Sequence, residues 1–173
     1  MNVLITGKPG VGKTTLILRV LTKLKRKASG FYTQEIREFG RRTGFELITL
    51  KGDSEILADV NLDSPYKVGK YKVNLKAMEL ACKAIEEGLK EGNLIVIDEI
   101  GKMELFSFRF QDLVLEALDS DCDVLGTIML RPHHFTDQIK RRKDVKLYIL
   151  TQGNFKEIFE KILSDFSIKN GQM

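Results

Sequence analysis

The run of sequence that decides the fold is Gly7-Lys8-Pro9-Gly10-Val11-Gly12-Lys13-Thr14. It fits the pattern G-x-x-x-x-G-K-[ST], which is the phosphate-binding loop called Walker A. In this motif the glycines let successive backbone N–H groups point inward at an anion. The lysine then reaches the β- and γ-phosphates, and the hydroxyl reaches a Mg²⁺ ion. The run therefore predicts a site for the phosphate groups of a nucleotide.

The sequence on either side of this loop has the periodicity that the motif requires. Residues 2–6 form a short, β-branched apolar run typical of a buried strand, and residues 15–27 carry apolar side chains at helical spacing. A strand, the loop and a helix thus follow one another. The N–H groups at the start of the helix then face the same anion as the loop. The alternative is a chance glycine-rich turn, but the predicted strand before the loop and the predicted helix after it favour the phosphate-binding loop.

A second half of the site is predicted at Leu94-Ile95-Val96-Ile97-Asp98-Glu99-Ile100-Gly101. Four apolar residues before an acid are typical of a parallel strand that is buried on both faces. This is a Walker B pattern, in which Asp98 would hold Mg²⁺ beside Thr14. Glu99 follows directly and is our candidate for the group that aligns and deprotonates an attacking water. Its alternative role is that of a surface acid in a loop.

Further candidates come from the strand predicted at residues 124–129. P-loop enzymes with a glutamate after the Walker B acid generally insert one strand between the loop strand and the Walker B strand, and by this analogy 124–129 is the inserted strand. Thr127 would then lie near the γ-phosphate as a polar sensor. Arg131 lies just past the strand, where ligands gather in open α/β sheets, and is either a phosphate contact or a solvated arginine. Lys102 ranks above Lys8 as a further substrate contact at this rim.

Strands and helices alternate along most of the remaining chain. Ser29-Gly30 is a stop signal for the first helix, and residues 99–104 indicate a loop. Residues 31–38 and 45–50 predict a β-hairpin with a basic tip, residues 54–58 a short strand, and residues 61–73 a surface loop with one short extended piece. Helices are predicted at 75–89, 110–118, 132–141 and 155–166, and a last strand at 145–150. The pattern predicts a three-layer α/β/α P-loop fold in one domain, residues 1–173, with a mostly parallel sheet and the hairpin as an insertion that decorates it. The tail from residue 169 is expected to fray.

Composition limits the classes of function. The chain has 173 residues, a net charge of +4 and no apolar run long enough to span a membrane. Cys82 and Cys122 lack metal-type spacing, so we expect two reduced, buried thiols in a cytoplasmic protein. The basic runs at 23–27 and 140–143 lie near predicted helix C-termini, where the helix dipole favours cations. Nucleic acid is therefore not the expected ligand, although it stays an alternative.

The motifs together resemble the thermophile and cancer-related nucleoside-triphosphatase family. The specific likeness lies in residues 98–104, DEIGKME, and residues 30–37, GFYTQEIR, with further matches at 41–45, 68–71 and 142–145. The resemblance implies a RecA-like P-loop fold and slow hydrolysis of ATP, GTP, CTP, UTP and TTP to diphosphates, with loose base selectivity. It also implies that residues 7–14 and 94–101 bind the nucleotide. Residues 129–132 depart from the usual family stretch, which weakens the case for Arg131.

Three hypotheses follow from the sequence. The first is a Mg²⁺-dependent nucleoside-triphosphate hydrolase with Lys13 and Glu99 as its catalytic residues. The second is a small-molecule or nucleoside kinase, against which we find no arginine-rich lid segment. The third is a nucleotide switch coupled to RNA. All three take nucleoside triphosphates as ligands, and the sequence indicates neither membrane association nor an obligate protein partner.

Overall fold

A computed structural model describes residues 1–167, and its strands form one nine-stranded sheet. The elements in chain order are β1 (Asn2–Thr6), α1 (Lys13–Leu24), β2 (Ala28–Glu38), β3 (Arg41–Thr49), β4 (Ser54–Asp59), β5 (Lys67–Val68), β6 (Tyr71–Val73), α2 (Leu75–Glu91), β7 (Leu94–Ile100), a 3-10 turn (Glu104–Phe106), α3 (Phe108–Asp119), β8 (Val124–Ile128), α4 (His134–Lys140), β9 (Val145–Ile149) and α5 (Phe155–Ser167). The tail predicted from residue 169 lies outside the described residues.

The sheet has a parallel part and an antiparallel part. Its strand order is β5-β6-β4-β3-β2-β7-β8-β1-β9. Neighbours from β2 to β9 run parallel, whereas the pairs from β2 outward to β5 are antiparallel. Strand β8 lies between β1 and β7, which confirms the predicted inserted strand. The loop strand and the Walker B strand are therefore separated by one strand.

Helices cover both faces of the parallel part, which confirms the predicted three layers. Strand β1 shows the division, since Val3 and Ile5 face one core and Leu4 the other. Successive side chains of a strand point to opposite faces, so one apolar run serves two cores. Helices α1 and α5 supply the first core with Leu16, Ile17, Val20, Ile158, Ile162 and Phe166. Helices α2, α3 and α4 supply the second with Met78, Ile85, Phe110, Val114, Phe135 and Ile139.

The predicted hairpin is present, but it is continuous with the sheet and does not merely decorate it. Strand β2 runs parallel to β7 from Ala28 to Phe31 and then continues as the first strand of the hairpin with β3. The helix predicted to reach residue 27 ends at Leu24. Gly30, which reads as a stop signal, lies inside β2, where a Cβ would come within 1.9 Å of the Val96 carbonyl oxygen. Glycine is thus required at this position by the close approach of β7.

The other differences from the predicted elements are small. Residues 61–73 contain the two short strands β5 and β6 in addition to loop. Strand β7 continues through Glu99, which was predicted to lie in a loop. Helix α4 begins at His134 and not at Pro132. Among residues 1–167 no helix combines the length and apolar character needed to cross a bilayer.

Candidate active site

The phosphate loop lies between β1 and α1, at the carboxyl end of the parallel strands. Gly7 packs so closely on the segment after β9 that a Cβ would lie 2.7 Å from the Leu150 carbonyl oxygen. Gly12 has φ +109° and directly precedes α1 without a side-chain cap. The first hydrogen bond back to it comes from the N–H of Leu16. The preceding N–H groups of α1 therefore have no intrahelical partner and are available to an anion.

The ammonium group of Lys13 lies against the backbone of the loop. Its Nζ donates to the carbonyl oxygens of Gly7 at 2.9 Å and Lys8 at 3.2 Å. These two carbonyls hold the ammonium against the loop that precedes α1. The side chain of Lys8 is exposed. Lys13 is thus held in place by the loop whereas Lys8 is not, which agrees with the place of Lys13 as the lysine of the Walker A motif.

Two threonines hold the carboxylate of Asp98, which is only 2% exposed. The Thr14 hydroxyl donates to Oδ2 at 2.6 Å and the Thr127 hydroxyl donates to Oδ1 at 2.5 Å. Burial raises the pKa of Asp98, and these two hydrogen bonds and the charge of Lys13 oppose the rise. Thr127 is fully buried, and its hydroxyl is committed to Asp98. This contact positions the acid, and the predicted sensor role of Thr127 stays a prediction.

Glu99 lies beside this carboxylate in an irregular part of β7. The register between β7 and β8 shifts between Ile97 and Ile100. In a regular strand the side chains of Asp98 and Glu99 would point to opposite faces, whereas such an irregularity can re-aim one of them. Burial raises the pKa of Glu99, the charge of Lys13 lowers it and that of Asp98 raises it. The two acids are consecutive in β7, and both lie near enough to Lys13 for its charge to lower their pKa values.

The oxygen donors at this point suit Mg²⁺. The Thr14 hydroxyl and the Asp98 carboxylate lie 2.6 Å apart, and Mg²⁺ prefers one or two carboxylates together with water and phosphate oxygens. Within residues 1–167 no group of three or more His, Cys, Asp or Glu side chains is arranged to hold a metal.

Two adjacent histidines follow β8. His133 and His134 stack on each other, and His133 Nδ1 caps α4 by accepting from the Phe135 N–H.

A third carboxyl group, Glu104, was not predicted as part of the site. A Cβ on Gly101 would lie 2.9 Å from Glu99 Oε2 and 3.2 Å from Glu104 Oε2, so both carboxyl groups flank the same glycine. Glu104 is 5% exposed. Burial raises its pKa well above the usual value, and the negative charge of Glu99 adds to the rise. Its burial arises from the 3-10 turn after β7, in a segment whose sequence indicates only a loop.

We expect Glu104→Gln to stabilise the protein at neutral and alkaline pH. The pKa of Glu104 is higher in the folded protein than its unfolded value of 4.5. The carboxyl group therefore contributes its full stabilisation below pH 4.5, and this contribution is lost as the pH rises through the folded pKa. Glutamine stays neutral and escapes this loss. Urea titrations between pH 5 and 9 measure the free energy of unfolding, and the gain over wild type should grow with pH. The exposed Glu116→Gln is the control, and parallel curves for Glu104→Gln and wild type would contradict the prediction.

Two further predicted candidates lie at the surface. Arg131 is exposed in the segment between β8 and α4, and Lys102 is exposed after β7. Their predicted contacts with phosphate or substrate stay predictions.

The chain has a strand, a loop and a helix around Gly7–Thr14, and a buried acid on β7, which one strand separates from β1. These features define it as a P-loop nucleotide-binding protein. Comparisons with known proteins narrow this class. A family described as NTPase matches residues 2–163. The chain is 47% identical over 173 residues to the nucleoside-triphosphatase THEP1 of Thermotoga sp. (strain RQ2), covering 99% of both chains. The chain belongs to this nucleoside-triphosphatase family, as its motifs suggested.

The likeness extends to a human relative and to solved structures. The cancer-related nucleoside-triphosphatase of Homo sapiens is 39% identical over 180 residues, covering 94% of this chain and 95% of the relative. The crystal structure of THEP1 from the hyperthermophile Aquifex aeolicus matches with a TM-score of 0.88 at 41% identity, covering 95% of this chain and 98% of that one. A solution structure of a human cancer-related nucleoside triphosphatase matches with a TM-score of 0.82 at 36% identity, covering 99% of both. These matches confirm the P-loop fold.

Proposed function

We propose that this protein is a Mg²⁺-dependent hydrolase that converts nucleoside triphosphates into diphosphates and inorganic phosphate. The observation that carries the proposal is the grouping of Lys13, Thr14, Asp98 and Glu99 at the uncapped start of α1. The relatives named as nucleoside-triphosphatases support the same reaction class.

The phosphate loop binds the substrate through its main chain and one cation. The free N–H groups at the start of α1 and the ammonium of Lys13 face the β- and γ-phosphates and stabilise charge that develops on their oxygens. Thr14 and Asp98 would hold Mg²⁺, which when bound supplies further positive charge at the phosphates. Thr127 keeps the Asp98 carboxylate in place through its hydroxyl.

Glu99 acts on the attacking water. Its carboxylate accepts a proton from the water while the water oxygen forms a bond to the γ-phosphorus and the bond from the γ-phosphorus to the β,γ-bridging oxygen breaks. The products are a diphosphate and inorganic phosphate, and Glu99 later releases the proton to solvent. Burial and the neighbouring Asp98 raise the pKa of Glu99, which makes it a stronger base than an exposed glutamate.

Loose base selectivity follows from the same arrangement, and we propose ATP, GTP, CTP, UTP and TTP as substrates. The groups to which we assign phosphate and metal binding include none that reads a base edge. We also propose that the chain acts as one domain in the cytoplasm. Cys82 and Cys122 support that location, because both are free thiols and both are buried.

The test is phosphate release from each of the five triphosphates, with Mg²⁺ and with the metal chelated, in the absence of any acceptor. We expect similar release from all five with Mg²⁺ and very little without it. Release that needs a nucleoside or another small acceptor would support a kinase instead. Release that appears only when RNA is added would support the RNA-coupled switch. Intact triphosphates under every condition would overturn the hydrolase assignment.

A further inference from the structure

An aromatic ring lies directly against the phosphate loop, on the side formed by α1 and α5. A Cβ on Gly12 would lie 3.9 Å from the ring of Phe155, so the ring packs against the last glycine of the loop. Phe155 is only partly buried. One side of the ring therefore supports the loop, and part of it remains open to solvent.

The segment that carries this ring is held next to the loop by hydrogen bonds. The Leu150 N–H donates to the Thr6 carbonyl at 2.8 Å. The Asn154 side chain accepts from the Thr151 N–H at 2.7 Å and donates to the Ile149 carbonyl at 2.9 Å. These bonds fix the turn between β9 and α5, and α5 begins at Phe155. The position of the ring relative to the phosphate loop is therefore determined by the backbone.

The guanidinium group of Arg19 lies over this ring. The Cζ of Arg19 lies 5.2 Å from the centroid of Phe155. Arg19 is exposed on α1, one helical turn beyond Thr15, which corresponds to a rise of about 6 Å. Aromatic rings and arginine planes are the groups on which proteins stack nucleobases, and such stacking accepts every base because each base has a π-face.

A surface groove runs along α1 beside Arg19. It is lined by Thr15, Leu18, Arg19, Thr22, Lys23 and Lys25, and by Phe159 of α5, which lies one helical turn from Phe155. A nucleotide whose phosphates are bound at the loop must lead its ribose away from the α-phosphate on an open side. Thr15 is exposed, so this side is open.

From these observations we propose that Phe155 and Arg19 form the seat on which the nucleobase stacks. The proposal rests on the proposed function, because it requires the phosphates at the loop. The seat offers an aromatic ring and a guanidinium group where a selective site would place hydrogen-bonding groups against a base edge. It thereby gives a physical reason for the loose base selectivity proposed above.

The test compares ligands with and without a base. Calorimetry measures the Kd of ADP, GDP, CDP and UDP and the Kd of inorganic pyrophosphate, which has the phosphates alone. Phe155→Leu keeps an apolar side chain against Gly12 and removes the ring. We expect all four diphosphates to bind about 5- to 100-fold more weakly to this variant, while pyrophosphate binds as it does to wild type. Arg19→Met is expected to act in the same direction with a smaller effect, and Phe155→Tyr should bind as wild type.

The control is Phe108→Leu, because Phe108 also begins a helix and is 78% exposed. Equal weakening of diphosphates and pyrophosphate by Phe155→Leu would overturn the proposal, since the ring would then only support the loop. Unchanged binding of the diphosphates would overturn it as well. Phosphate release is assayed separately. If wild type binds ADP more tightly than pyrophosphate but releases no phosphate, the hydrolase assignment is overturned and the base-stacking proposal stands. If the enzyme is active and Phe155→Leu binds diphosphates as wild type does, only the base-stacking proposal is overturned.

Discussion

Glu99→Gln is expected to bind nucleoside triphosphate as wild type does and to lose about 10²- to 10⁴-fold of its turnover. The amide has nearly the same shape as the carboxylate, so Asp98, Thr14 and the phosphate loop keep their contacts. It cannot accept the proton of the attacking water. Single-turnover phosphate release measures the chemical step, and calorimetry with a non-hydrolysable triphosphate measures binding.

The matched control for this variant is Glu160→Gln, the same chemical change at an exposed position of α5. It should leave both turnover and binding unchanged. Wild-type turnover in Glu99→Gln would remove Glu99 from the mechanism. Loss of binding in parallel with turnover would mean that Glu99 organises the phosphate site and does not serve as the base.

Lys13→Met is expected to lower kcat/KM by at least about 10²- to 10³-fold. The ammonium of Lys13 is held by the carbonyls of Gly7 and Lys8, so it is already fixed at the loop where we propose that the phosphates bind. Methionine has a similar length and no charge. The variant lacks the cation that stabilises the bound triphosphate and the charge that develops on the γ-phosphoryl oxygens in the transition state. KM should therefore rise and kcat should fall. Initial rates over a range of ATP concentrations separate the two effects.

Lys76→Met is the control for the loss of a lysine in the first turn of a helix, because Lys76 occupies that part of α2 and is exposed. It should not change kcat/KM. If Lys13→Met changed kcat/KM no more than Lys76→Met does, the phosphates would have to be bound elsewhere on the protein.

The sequence predicts the features that depend on local pattern. The loop at 7–14 and the apolar strand before Asp98 were predicted, since motif spacing and periodicity are visible within a short window. The place of β8 in the sheet was predicted by analogy with other P-loop enzymes that have a glutamate after the Walker B acid. The grouping of Lys13, Thr14, Asp98 and Glu99 also agrees with the motif. The family assignment followed from longer runs such as residues 98–104.

The features that were missed depend on contacts between distant parts of the chain. Gly30 reads as the end of a helix, but it is required because β7 passes within contact of β2. The bond from Thr127 to Asp98 joins two strands, and only their pairing shows that the hydroxyl is already engaged. The burial of Glu104 arises from a 3-10 turn that has no sequence signal. Residue propensities predict the local backbone conformation, but they do not predict which distant residues bury a side chain.

The place of β8 between β1 and β7 has a consequence for the dimensions of the reaction centre. Neighbouring strands are about 4.8 Å apart, so the axes of β1 and β7 are separated by about 10 Å. Direct pairing of these strands would halve that width. It would also remove Thr127 from its place beside Asp98, where the threonine hydroxyl donates to Oδ1 at 2.5 Å.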